Sequence, residues 1–303
     1  MKFHRTSIGL AVACLSALAV GAAAPVLAQP AAGYPVNAAD VQAADWPARV
    51  GRLAEVQGAV WFYDRELAAW AQAQPNRPLT SGDRLSVEAN GRALLRIGAT
   101  SLRLSGGADL TLRRIDDQVI AIDLDSGSLA LTVPAVDAAT PLEVSTAEGR
   151  FTPRGAGLYR IDRRSDASEG SALRGQLVFD GSDSQLAVSA GQHAQFWLQG
   201  TPPSTHFRLL DLERDAFASW AQQGDVDINR SQTARYVSPE MTGWEDLDRY
   251  GSWTNSPEYG HVWIPANVSA SWAPYQDGRW VWALPWGWTW VDAAPWGFAP
   301  FHY

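Results

Sequence analysis

From residue 50 onward, apolar and polar residues alternate in short runs, and most runs end at Gly, Asp or Asn. Residues 50–63 alternate around two glycines. Residues 84–88, 93–97, 101–104, 109–112, 119–124 and 128–133 keep a period of two. Their apolar side chains face one way, and Arg, Ser, Thr or Asp face the other. Residues 142–145, 157–162, 175–179 and 185–188 extend the series. Leu79-Thr-Ser-Gly-Asp83 reads as a turn, and Asn90-Gly91 as a hairpin turn. Short strands at near-regular spacing, with no helix between them, predict a mainly β unit over residues 50–200. Periodicity leaves two architectures open, a β-sandwich and a short β-solenoid.

Pro202-Pro203 interrupts the alternation. Over residues 207–223, Leu209, Leu212, Ala216 and Trp220 recur at helical spacing, as do Leu210 and Phe217, and Gly224 is a natural stop. The pattern predicts one helix inside a connector spanning residues 201–250. Residues 251–303 change character: nine of the chain's 15 tryptophans fall between Trp253 and Trp296, with Pro and Gly interleaved. This predicts a module of short hairpins. It is internally repetitive. Trp272-Ala-Pro-Tyr275 returns as Phe298-Ala-Pro-Phe301, and Pro285-Trp-Gly-Trp288 as Pro295-Trp-Gly-Phe298. A repeat unit buries its aromatic face on the next, so the module is expected to continue past Tyr303.

Trp286, Trp288 and Trp290 stand at i, i+2 and i+4, on one face of a strand, as do Trp280 and Trp282. Two readings follow. The indoles pack on each other or on the β unit as a core, or they form an exposed platform. On the second reading Trp280, Trp282, Trp286, Trp288, Trp290 and Trp296 bind the ligand, and Arg279 and Asp277 hydrogen-bond sugar hydroxyls.

Composition sets the address. Lys2 and Arg5, an apolar run over residues 8–20, and a small-residue end at Val26-Leu27-Ala28 predict a signal peptide over residues 1–28. Retained, the same run is an N-terminal anchor, and Cys14 admits a lipoprotein reading. Residues 29–49 read as a tether. Cleavage after Ala28 leaves no thiol and no lysine, so disulfides and Cys-ligated metals are not expected. No transmembrane segment is expected beyond the signal. A formal net charge of −8 without a basic stripe argues against nucleic acid. The expected location is the periplasm or the extracellular space.

The motifs Pro78-Leu-Thr-Ser-Gly-Asp-Arg-Leu85, Gly91-Arg-Ala-Leu-Leu-Arg-Ile-Gly98, Leu124-Asp-Ser-Gly-Ser-Leu129 and Val144-Ser-Thr-Ala-Glu-Gly149 resemble the FecR domain family over residues 50–197. The tail, with Arg235-Tyr-Val-Ser-Pro-Glu-Met-Thr-Gly243 and Asp246-Leu-Asp-Arg-Tyr-Gly251, looks like an uncharacterised aromatic-rich module that follows such domains in exported proteobacterial proteins. The resemblance implies an extracytoplasmic all-β domain with no catalytic residues to carry over. The family's best-known members relay an iron-uptake signal to a cytoplasmic sigma factor through a membrane helix and a cytoplasmic segment. Here a signal peptide and tether stand in that place.

Reactive chemistry is sparse. There is no Gly-x-Ser-x-Gly elbow, and a Walker loop would lack its lysine. His193, His206, His261 and His302 have no partner at helical zinc spacing. Asp225-Val-Asp-Ile-Asn229 imitates the start of a calcium loop but continues with Arg230 and Tyr236 at the diagnostic positions. Asp116-Asp117 reads as a turn, and Asp123 and Asp125 as a solvated strand face, although either pair offers two carboxylates. No catalytic residue, metal or cofactor is expected. The leading expectation is a non-enzymatic envelope binding or scaffolding protein for cell-wall glycan, exopolysaccharide or an envelope protein. The alternatives are a FecR-like signalling regulator and a glycan-processing enzyme.

Overall fold

The computed structural model describes residues 49–303 apart from Val136, Ala138 and residues 224–229. The expected signal peptide, Cys14, nearly all of the tether, Gly224 and residues 225–229 of the calcium-like stretch lie outside the described residues. The protein is mainly β. Its first strands are β1 (Gly51–Gln57), β2 (Val60–Asp64), β3 (Ala69–Gln72), β4 (Pro78–Leu79), β5 (Asp83–Val87), β6 (Arg92–Ile97) and β7 (Thr100–Ser105). Then come β8 (Asp109–Ile115), β9 (Ile120–Val133), β10 (Leu142–Ser145), β11 (Arg150–Arg163) and β12 (Ser168–Asp180). β13 (Gln185–Ser189), β14 (Gln192–Gln199) and β15 (Ser204–Leu210) complete one 15-stranded sheet.

Its pairings separate into two rows. One runs β15-β14-β12-β11-β9-β7-β6-β1-β4, and the other β13-β12-β11-β10-β9-β8-β5-β2-β3. Strands β9, β11 and β12 are long enough to serve both rows with different halves. The first half of β9 pairs β8 and β10, and its second half pairs β7 and β11. Between the halves lie Gly127, Gly155 and Gly175, with φ of +79°, +86° and +84°. Side chains with a Cβ rarely adopt that backbone, so glycine makes the bends. Of the two architectures the sequence left open, this is the sandwich, with its rows joined at bent strands. Leu53, Leu95, Leu102, Leu129 and Ile161 from the first row meet Leu85, Leu110, Ile122, Val144 and Phe179 from the second in one buried core.

Two local expectations are corrected. Asn90-Gly91 does not make a hairpin. β5 and β6 pair with other strands, and the turn carries the chain from one row to the other. The helix expected over 207–223 is confined to α1 (Ala216–Ala221), capped by Asp215, whose carboxylate accepts from the Ala218 N–H. Residues 204–210 instead pair with β14 as an edge strand, with Phe207 opposite Phe196. Available sheet hydrogen bonds override a helical apolar spacing.

The outer face of the first row is polar by alternation but not solvated. Arg52, Arg96, Arg103, Arg160 and Asp162 are all buried there. Phe217 and Ala221 of α1 pack on Ala130 and Leu158, and the chain beyond residue 230 covers another part. That chain forms α2 (Leu247–Tyr250), the hairpins β16 (Gly251–Ser256)–β17 (Gly260–Pro265) and β18 (Gly278–Ala283)–β19 (Gly287–Asp292), and α3 (Phe298–His302).

Candidate functional site

The aromatic tail is held to the sandwich by a small polar latch. Arg52 donates from Nε to Asn76 Oδ1 at 3.0 Å, from Nη2 to the Pro295 carbonyl at 2.8 Å, and from Nη1 to the Asp246 carboxylate. The Asn76 amide donates to the Asp292 and Ala294 carbonyls at 3.0 and 2.8 Å. Thr242 accepts from the Gly98 N–H at 2.8 Å and donates to the Val50 carbonyl at 2.7 Å. Trp244 and Phe298 are buried beside these groups. Several directional bonds from one guanidinium fix orientation as well as contact.

The latch presents the β18–β19 hairpin. Its register puts Trp280 opposite Trp290 and Trp282 opposite Trp288. All four indoles therefore share one face. Each pair meets edge to face at 5.5 Å between ring centres, the favoured geometry for indoles. The opposite face carries Val281, Ala283 and Val291, all buried. The hairpin thus turns its aliphatic side inward and most of its aromatic side outward. Trp280, Trp282 and Trp288 are 56%, 38% and 66% exposed, and Tyr275, parallel to Trp280 at 6.5 Å, is 57% exposed.

The other predicted platform residues divide. Trp290 is only 7% exposed and donates to Asp292 Oδ2 at 3.1 Å. Trp296 is buried against Trp263 and Trp272, with ring centres 5.3 and 5.6 Å away. These two belong to the core, because they sit where the hairpin meets the rest of the tail. Trp286 does not share a strand with Trp288 and Trp290. It lies in the turn before β19 and lines a separate cleft. Arg279 lies on the aliphatic side and reaches the Pro75 carbonyl at 3.4 Å. Asp277 is exposed ahead of β18. The core and platform readings of the sequence therefore each describe some of the indoles. Tyr275 and the Arg52–Asn76 latch were not singled out in the sequence.

Three carboxylates, Asp162, Glu169 and Glu213, lie close enough to share one cation. Fixed positive charge already occupies the space between them. Arg160 contacts Asp162 at 2.8 Å and Glu213 at 2.5 Å, and Arg164 contacts Glu169 at 3.4 Å and Glu213 at 3.1 Å. His193 adds a further partner, with Nε2 3.6 Å from Glu169. This is an ion-pair network. Asp116 caps a turn, accepting from the Gln118 and Val119 N–H groups at 2.8 and 2.9 Å. Asp123 pairs with Arg113 at 3.5 Å. Both match the bland sequence readings.

Comparison with known proteins adds the following. Residues 244–303 match the model of a family of unknown function, DUF6600. No curated protein matches the chain. Two crystal structures of a "putative anti-sigma factor" from Parabacteroides distasonis ATCC 8503, at 2.50 and 1.65 Å resolution, are similar to part of it. They share 14% and 13% identity over 46% of this chain, each with a TM-score of 0.38. The chain spans 64% and 65% of their length.

Proposed function

We propose that this is a non-enzymatic, exported envelope protein in which a FecR-like sandwich carries a glycan-binding aromatic hairpin. One observation carries the reading. Trp280, Trp282 and Trp288 are exposed together on a face whose opposite side is buried. Solvent-exposed indoles on a fixed hairpin lose little conformational entropy on binding, and a flat ring complements the C–H face of a pyranose. The net charge of −8 disfavours polyanionic partners. Export rests on the N-terminal sequence pattern, and the non-enzymatic reading on the scarcity of catalytic motifs in the sequence.

The test uses the full chain with insoluble peptidoglycan and with soluble polysaccharides. Retention on either, lost in the Trp280→Ala/Trp288→Ala variant, supports the reading. Equal retention of that variant, or no retention of the wild type, contradicts it. Intact mass of the exported protein tests cleavage after Ala28, and recovery from the cytosol contradicts export.

A further inference from the structure

Beyond the exposed face lies a cleft of about 510 Å³, within the range of small-molecule sites. Its two walls come from different parts of the chain. Leu284, Pro285 and Trp286, the turn of the aromatic hairpin, make the apolar wall. Arg114 at the end of β8, and Asp117 and Gln118 in the turn between β8 and β9, face it, and Arg49 adds to the lining.

The polar wall is partly committed and partly free. The Asp116 carboxylate is spent on its own turn and on Arg114. Ser81 Oγ accepts from the Ile115 N–H at 2.8 Å, which ties the end of β8 to the turn between β4 and β5. These bonds make the wall rigid. In contrast, the Asp117 carboxylate and the Gln118 amide make no hydrogen bond among the described residues, and both are exposed. Arg49 is buried, and its Nη1 has no hydrogen bond among the described residues; the Asp137 carboxylate is 3.9 Å away.

Two arginines are balanced by two aspartates, so the lining has no net charge. A phosphate or carboxylate ligand would find no surplus cation. A ring with one apolar face and several hydroxyls finds both surfaces it needs. The half-buried indole of Trp286 meets the C–H face, and a carboxylate, an amide and a guanidinium meet hydroxyls as acceptors and donors. We infer that this cleft is a saccharide subsite that holds one neutral pyranose unit of a glycan between Trp286 and the Asp117–Gln118 turn. The inference rests on the reading of the chain as a glycan binder but uses residues separate from the exposed face.

The test is calorimetric titration of the full chain with chitotetraose, cellotetraose and maltotetraose. Wild-type protein binds at least one of them. Asp117→Ala/Gln118→Ala, which alters only exposed side chains, weakens that binding at least tenfold with an unchanged melting temperature, and Trp286→Ala does the same. Wild-type affinity in both variants overturns the subsite. If those variants bind normally while Trp280→Ala/Trp288→Ala does not, the subsite fails and the exposed face stands. The reverse result supports the subsite and removes the face. Failure of the wild type to bind any of the three also overturns the subsite, and peptidoglycan retention then decides the face on its own.

Discussion

Arg52 Nε and Asn76 Oδ1 are 3.0 Å apart in the buried seam between the sandwich and the aromatic tail. Each then bonds different parts of the tail: Arg52 the Asp246 carboxylate and the Pro295 carbonyl, and Asn76 the Asp292 and Ala294 carbonyls. Asn76 holds a φ of +63°, which asparagine tolerates better than most residues. Two side chains thus fix where the hairpin stands.

Breaking this latch leaves buried charge and carbonyl groups without partners. Arg52→Ala should destabilise the protein by about 3–5 kcal/mol. Asn76→Ala should cost about 1–3 kcal/mol from lost hydrogen bonds, with backbone strain added. Because both serve one network, the double variant should cost less than the sum. Denaturant unfolding of the four proteins checks this, and strict additivity would show that the two act separately.

Trp288 and Trp290 stand two residues apart on one face of β19 but differ in burial. Trp290→Ala should cost about 3–5 kcal/mol, because it empties a filled site. Trp288→Ala should cost about 1 kcal/mol, the value of its edge-to-face contact with Trp282. Thermal melts with a shared baseline would distinguish them, and equal losses would mean that the exposed indole is structural.

The alternation that predicted a mainly β unit put Arg, Ser, Thr and Asp on one face, but it does not show whether that face meets water or later chain. Arg96 and Arg160 occupy the polar positions of ordinary two-sided strands, and nothing local records that later chain will cover them. Once they are covered, ion pairs replace water: Arg160 with Asp162, Glu213 and Asp215, and Arg96 with Glu245. The hairpin's one-sided indoles were legible, since period two assigns faces without tertiary knowledge. Which indoles face out was not, because burial of Trp290 and Trp296 depends on partners distant in sequence. The helical spacing over 207–223 failed at its start, where β14 offered an unpaired edge. Trp286 was misplaced for a simpler reason: a chain reversal at Leu284–Trp286 interrupts the count of two.

Glu245 makes one side of the seam sensitive to pH. Burial raises its carboxyl above the ordinary range, Arg96 and Arg52 oppose that rise, and Asp246 adds to it. A raised carboxyl contributes stability that is complete below the ordinary carboxylate range, about 4.3, and is lost as pH climbs through the raised value. Glu245→Gln should therefore gain on the wild type as pH rises above about 4.5. Melting temperatures across that range check the slope, and a constant difference would contradict it.

His193 and Glu169 act in the opposite corner of the scale. Burial disfavours the imidazolium, but Glu169, the Asp211 carbonyl and Glu213 outweigh it and raise His193. The contact with His193 holds Glu169 below its ordinary range. The histidine's share is full below about 6.5 and lost as pH rises through its raised value; the carboxylate's share is full above about 4.3 and lost as pH falls through its lowered value. Both are present near pH 5.5. His193→Gln should cost about 1–2 kcal/mol there and less at pH 8.5. Unfolding at the two pH values measures the difference, and a larger cost at pH 8.5 would reverse the assignment.

The outward indole face is tested most directly by following the indole N–H resonances of the nitrogen-15-labelled chain during titration with chitotetraose, cellotetraose and soluble peptidoglycan fragments. Trp280, Trp282 and Trp288 should shift with at least one of these glycans, while Trp244, Trp290 and Trp296 stay in place. Shifts confined to the buried indoles, or no shift with any glycan, would contradict it.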